Sequence, residues 1–167
     1  MEIRDIGGDI VLQGREWNDL LSCLDGKIFK TYYQVFILCA SIGIMKDKRR
    51  VLQLTEEEKE LPKLTIPRTV LMRNISDLDF LFSTAIITTE SINKSVDERL
   101  RLAFGNEETE FKKMNFLEEF AHYGLIEMSK VISKNDLEVM QNIKDLFEEL
   151  EEHDLLSEIE IDLETIY

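Results

Sequence analysis

From Thr31 to Ile44 the chain reads TYYQVFILCASIGI, apolar nearly all the way round a helix. A helix with no polar face has to be wrapped by other elements, so the fold is expected to be organised around this one. Thr31-x-x-Gln34 supplies a capping-box start, and Gly43 followed by Ile44 suits a left-handed C-terminal stop. The densest apolar run, Val35 to Ala40 with Ile42 and Ile44 beyond, is far shorter than the roughly 20 residues a membrane-spanning helix needs. Met1-Glu2-Ile3-Arg4-Asp5 also lacks the basic start and apolar core of a secretory signal. The expectation is a cytoplasmic protein with no membrane association.

The cover is legible from periodicity. Trp17, Leu20, Leu21 and Leu24 fall at i, i+3, i+4 and i+7 of a helix over Arg15 to Leu24, ahead of Gly26. Leu78, Phe82, Ala85 and Ile86 mark a helix capped at Ser76 or Asp77 and running through Ser91. Val96 to Phe104 is a third, stopped by Gly105, and Glu110 to Ile132 a long fourth. From Asp136 onward Leu137, Met140, Ile143, Phe147 and Leu150 space an amphipathic helix. Ile10 to Leu12, between glycines, reads as a loop or short edge strand. GGDIVLQG lacks the spacing of a phosphate loop. The segment around Pro62 and Pro67 is the best candidate for an internal joint. With 167 residues, 44% of them hydrophobic, one core suffices. Cys23 and Cys39 fall on apolar helix faces and read as small hydrophobes.

Charge is distributed unevenly. The chain carries a formal −14, yet residues 27–50 hold six bases against one acid, with Lys46, Lys48, Arg49 and Arg50 crowding the exit of the apolar helix. Residues 134–167 hold twelve acids against two bases. A basic cluster behind a helix C-terminus can answer the helix dipole, contact phosphate or dock an acidic partner. An acidic helix can be a solvated face, a binding arm, or a partner for the chain's own bases. Overall negative charge disfavours nucleic acid at long range, and no aromatic residues interleave the cluster.

Reactive constellations are sparse. Glu57-x-Lys59 and Glu110-x-Lys112 have the acid-x-lysine spacing of metal-dependent nucleases, with Asp47 or Asp97 as the upstream acid, but they fall in helix or loop rather than on strands. Glu119-x-x-His122 is half of a di-iron pattern that His153 does not repeat. No Ser–His or Cys–His arrangement is legible. No catalytic residue, metal site or cofactor is assigned.

Phe29-x-Thr31, the apolar run to Gly43, the basic trio Lys48-Arg49-Arg50 and the later FLEEFAHYGL together resemble a known family. It is the small DNA phosphorothioation-associated family, the fourth accessory protein of Dnd-type bacterial defence systems. Phe116, Glu119, Phe120, Ala121, Gly124 and Leu125 match its second motif, with Phe120 in place of the usual tyrosine. The likeness spans roughly residues 28–132, leaving the acidic helix outside it. It implies a cytoplasmic bacterial protein encoded beside machinery that modifies DNA or restricts unmodified phage DNA.

The expected structure is all-α, mainly helical, with room for a short N-terminal β element. It comprises a compact helical domain over 1–133 and an acidic amphipathic helix and tail over 134–167. The expected function is that of a non-catalytic interaction subunit docking proteins encoded in the same operon, with any DNA contact indirect. Lys46, Lys48, Arg49 and Arg50 are its candidate basic surface, and Glu148, Glu149, Glu151 and Glu152 its candidate acidic one. A DNA-binding module using the same four bases and a metal-dependent nuclease are the alternatives.

Overall fold

The apolar helix lies at the centre of the structure. A computed structural model describes residues 6–24, 28–105, 111–132 and 136–163, with side chains of the last helix described over 138–151. In chain order the elements are β1 (Ile10–Leu12), α1 (Arg15–Leu24), α2 (Tyr32–Met45), α3 (Glu56–Lys59), β2 (Leu64–Ile66), α4 (Arg68–Arg73), α5 (Ile75–Thr88), α6 (Val96–Phe104), α7 (Lys113–Val131) and α8 (Asp136–Leu163). The fold is mainly helical, with one two-stranded sheet among the described residues.

Thr31 caps α2, accepting from the Gln34 amide, while the Gln34 side chain reaches back to the Lys30 amide at 2.9 Å. Gly43 does not end the helix as its sequence context suggested. It is a helical residue, and the left-handed backbone falls instead on Asp47, at φ 45°. The reason is α7. A Cβ on Gly43 would overlap the Phe120 carbonyl, and a Cβ on Gly124 would overlap the Cys39 carbonyl. The hydrogen that each glycine carries in place of a side chain therefore faces the other helix's backbone, the approach that small residues permit. Cys39, Ala40 and Ala121 are fully buried, and burial pushes the Cys39 thiol pKa up.

Other elements close around this pair. Trp17, Leu20, Leu21 and Leu24 form the buried face of α1, and Leu78, Phe82, Ala85 and Ile86 that of α5. Phe82, Phe111, Phe116 and Phe120 form a run of tilted and edge-on rings with centroids 5.0–5.9 Å apart, favourable for ring quadrupoles. The segment expected as a joint instead supplies β2, which pairs antiparallel with β1 in the register Ile10–Ile66, Val11–Thr65, Leu12–Leu64. Ile66 is buried, and the Asp9 carboxylate accepts from the Arg68 amide at 2.8 Å, so the proline-flanked stretch is pinned to the core.

Helices α1 and α6 have the bounds their caps and periods give, and Ser95 and Glu98 close a reciprocal capping box on α6. The α5 helix ends at Thr88 rather than Ser91. On α8 the buried positions are Val139, Leu146 and Leu150, with Ile143 and Phe147 partly covered, whereas Met140 turns outward. The Asn142 amide donates to the Val131 carbonyl at 3.0 Å and holds α8 against the end of α7.

Gly124→Ala is expected to destabilise the protein by about 3 kcal/mol, because two backbones must separate to admit the methyl group. Gly8→Ala, where a Cβ meets nothing within 4 Å, should shift stability by less than about 0.5 kcal/mol. Urea denaturation of both variants checks the contrast.

Candidate functional site

After Met45 the chain must leave a helix that is seated on α7, so its exit loop runs back along the same partner. The Arg50 amide donates to the Glu119 carbonyl at 2.9 Å, and the Lys48 amide to the Gly43 carbonyl at 3.0 Å. Asp47, the one acid among the bases, takes the left-handed conformation that makes this reversal. Its carboxylate accepts from the Thr89 hydroxyl, the Glu90 amide at 2.8 Å, the Ser91 amide at 3.1 Å and the Ser91 hydroxyl at 3.0 Å. Partial burial works against its ionisation, but these donors outweigh it and hold the carboxyl below its ordinary range. This cluster also explains the early end of α5: residues 89–91 turn away to cap the Asp47 carboxylate.

The four bases are brought together, and three of them, Lys46, Arg49 and Arg50, are paired with acids of the same chain. Lys46 lies 3.7 Å from Glu127, which also holds Lys130 at 2.8 Å. The Lys48 ammonium sits 5.7 Å from the Tyr123 ring centre, and Lys48 is the exposed member of the set. Arg49 bonds Glu119 at 3.2 Å and the Ser91 carbonyl at 3.1 Å, with its guanidinium 5.1 Å from the Phe116 ring. Arg50 meets both oxygens of Glu16 on α1, at 2.9 and 3.2 Å. The loop thereby joins α1, α5 and α7 to the end of α2.

Glu127 is 7% exposed. Burial opposes its charge, but bonds from Lys130 and Tyr123 and the charges of Lys130 and Lys46 prevail and lower its pKa. Glu149 on α8 adds its charge to those that raise the Lys130 pKa. A chain of alternating charge thus links the basic loop to the acidic helix through α7. Glu148, Glu149 and Glu151 are exposed, Glu148 with Lys144 at 3.2 Å, while the Glu152 side chain lies outside the described residues.

The remaining candidates are dispersed. Glu57 is exposed on α3, where Lys59 pairs with Glu56 at 2.6 Å, and Asp97 is exposed in the first turn of α6. Glu110 lies outside the described residues, and Lys112 precedes α7. Among the described residues no three His, Cys, Asp or Glu side chains gather closely enough to hold a metal ion. None of the helices so described is long and apolar enough to cross a membrane.

Sequence reasoning singled out the bases, and Glu119 in other roles, but not the acids as their partners. The signal was present: Glu119, Tyr123 and Glu127 recur every four residues on α7, a polar stripe on a helix that is otherwise mostly buried.

These features define a class: a small helical protein whose basic segment is locked into a glycine-seated helix pair. The profile of the DNA sulphur modification system-associated protein 4 family matches residues 14–166, and the chain belongs to that family. The matched region takes in the acidic helix, which the resemblance read from motifs had left outside. No curated protein and no solved structure matches the chain. The residues that carried the resemblance, Gly43, Arg49 and Arg50 on one side and Phe116, Glu119, Phe120 and Gly124 on the other, are the two sides of one seam.

His122 lies beside this seam, edge-on to Trp17 at 6.3 Å. Burial lowers its pKa to about 4, a backbone hydrogen bond with Arg50 pulls the other way, and the Arg50 charge adds to the lowering. The unfolded chain then binds a proton at His122 that the folded protein refuses, so stability falls as pH drops from about 6.5 toward 4, by up to about 3 kcal/mol. Glu118, whose pKa burial raises, contributes with the opposite sign and favours the fold at the acid end. His122→Phe is expected to flatten most of the slope between pH 6.5 and 4.5, measured as urea midpoints.

Proposed function

We propose that the protein is a non-catalytic accessory subunit of a DNA phosphorothioation-linked bacterial defence system. It works in the cytoplasm by docking proteins encoded beside it. Membership of a family associated with DNA sulphur modification supplies the context. The observation that carries the docking reading is the direction of the charges. Glu16, Glu119 and Glu127 engage three of the four bases from within, while Glu148, Glu149 and Glu151 of α8 face outward.

On this reading residues 1–133 form the platform and 134–167 the acidic arm, which presents its carboxylates to a basic partner. Lys48, with the outer edge of Lys46, is the cationic contact that remains beside it. Arg49 and Arg50 serve docking by fixing the shape of that surface. Complementary charge of this kind acts chiefly on specificity and on the rate of encounter. The same disposition counts against direct phosphate contact, since a chain at −14 offering one exposed cation from its basic loop neutralises few phosphates.

Replacing Glu148, Glu149 and Glu151 by lysine should slow association with the operon-encoded partner about tenfold or more at low salt, with the melting temperature little changed. Lys48→Glu should act more weakly. Co-purification of tagged protein expressed with its native operon, followed by association kinetics, checks both. Assembly indifferent to the triple reversal would remove the acidic arm from the interface.

A further inference from the structure

One buried polar group has no role in the packing described so far. Tyr33 is 9% exposed, and its hydroxyl is shielded from solvent with no hydrogen-bond partner among the described residues. Buried hydroxyls are seldom left so, because the unmade bond is costly. Tyr33 forms part of a groove of about 460 Å³ between α2 and α5. Ile37 and Leu81 give it apolar walls, and Asp77 and Phe80 stand on its α5 side. Phe80 is 75% exposed, the most exposed of the large apolar side chains on the described surface. Burial, and then the negative charge of Asp77, raise the Tyr33 pKa to about 12. The hydroxyl is therefore intact at neutral pH, and its oxygen keeps lone pairs to accept with.

A hydroxyl oxygen, a carboxylate, an exposed aromatic face and two aliphatic walls call for an occupant that is cationic at its head and apolar along its stem. We infer that this groove receives an arginine side chain from a partner protein. Its guanidinium would donate to the Asp77 carboxylate and lie against the Phe80 ring, with the Tyr33 side chain turning to bring its hydroxyl to the same head, while its methylenes pack on Ile37 and Leu81. Arginine suits the site better than lysine, because a planar head with five donors can serve two acceptors and stack at once. An uncharged apolar helix would leave Asp77 and Tyr33 without partners. A second copy of a chain at −14, like a nucleic acid, is opposed by charge. The inference rests on the docking reading above and adds to it a contact on the α2–α5 face.

The test uses the full chain, ¹⁵N-labelled, titrated with N-acetyl-arginine amide and with its uncharged isostere N-acetyl-citrulline amide. The arginine amide is expected to give saturable amide shifts confined to residues 33–41 and 77–81. Asp77→Asn should weaken its binding about tenfold, as should replacing the guanidinium by the citrulline urea; Phe80→Ala should weaken it as well. Asp77 and Phe80 are exposed, so both variants should stay folded, which their amide spectra report. Equal response to the citrulline amide, shifts spread over the acidic face of α8, or no shift at millimolar probe would overturn the inference.

Co-purification from the native operon supplies the second arm. Loss of the partner in Asp77→Asn supports the groove. A complex unaffected by Asp77→Asn and Phe80→Ala overturns the groove and leaves the docking reading standing. A chain that captures no operon product yet binds the arginine amide overturns the docking reading, while the groove keeps its chemistry.

Discussion

The contact between Gly43 and Gly124 sets the geometry on which the rest of the structure depends. Two helices whose backbones meet without intervening side chains have little freedom to slide or rotate, because each carbonyl fits only where the other helix lacks a Cβ. Once α2 is fixed on α7, the wide aromatic and aliphatic side chains on either side, Phe36, Phe116 and Phe120 among them, fall into register. The burial of a helix with almost no polar face follows from this seating. So does the path of the chain that leaves it.

That path determines what the basic residues do. Leaving α2 at its contact with α7, the loop runs antiparallel to α7 and presents its bases to the Glu119–Tyr123–Glu127 stripe. Asp47 secures the reversal by gathering donors from residues 89–91. Half-buried pairs of this kind add modestly to stability, since desolvation offsets much of the attraction. Their larger effect is to specify one arrangement: a guanidinium over Phe116 with Glu119 at its edge cannot be exchanged for a neighbouring register without stranding a charge. A cluster that reads from the sequence as a cationic patch has three of its four bases paired with acids of the same chain.

The parts of the fold governed by local rules were legible in the sequence. The bounds of α1 and α6 follow from caps and a 3.6-residue period, and the centrality of α2 follows from its lack of a polar face. The errors fall where a residue's role is fixed by something distant. Gly43 next to Ile44 has the local look of a helix stop, but glycine also serves where another backbone comes close, and only α7 decides between the two. The three residues of β2 were hidden between prolines because so short a strand has no period of its own; its partner lies more than fifty residues earlier. Arg49 and Glu119 are seventy positions apart, so both residues were visible while their pairing was not. Met140 was placed on the wrong face of α8 because an apolar residue one step round the helix fits the same loose spacing. The Tyr33 groove left no trace at all, since Tyr33, Asp77 and Phe80 are unremarkable until two helices bring them together.

The central claim is that the basic loop is an internal brace whose arginines are committed to acids of the same chain. A double-mutant cycle on Arg49→Met and Glu119→Gln, read as urea-unfolding free energies at low salt, measures that commitment directly. The account predicts a favourable coupling of about 1 kcal/mol or more between the two residues. Additive effects within about 0.3 kcal/mol would show that Arg49 is not held by Glu119 and would contradict the brace.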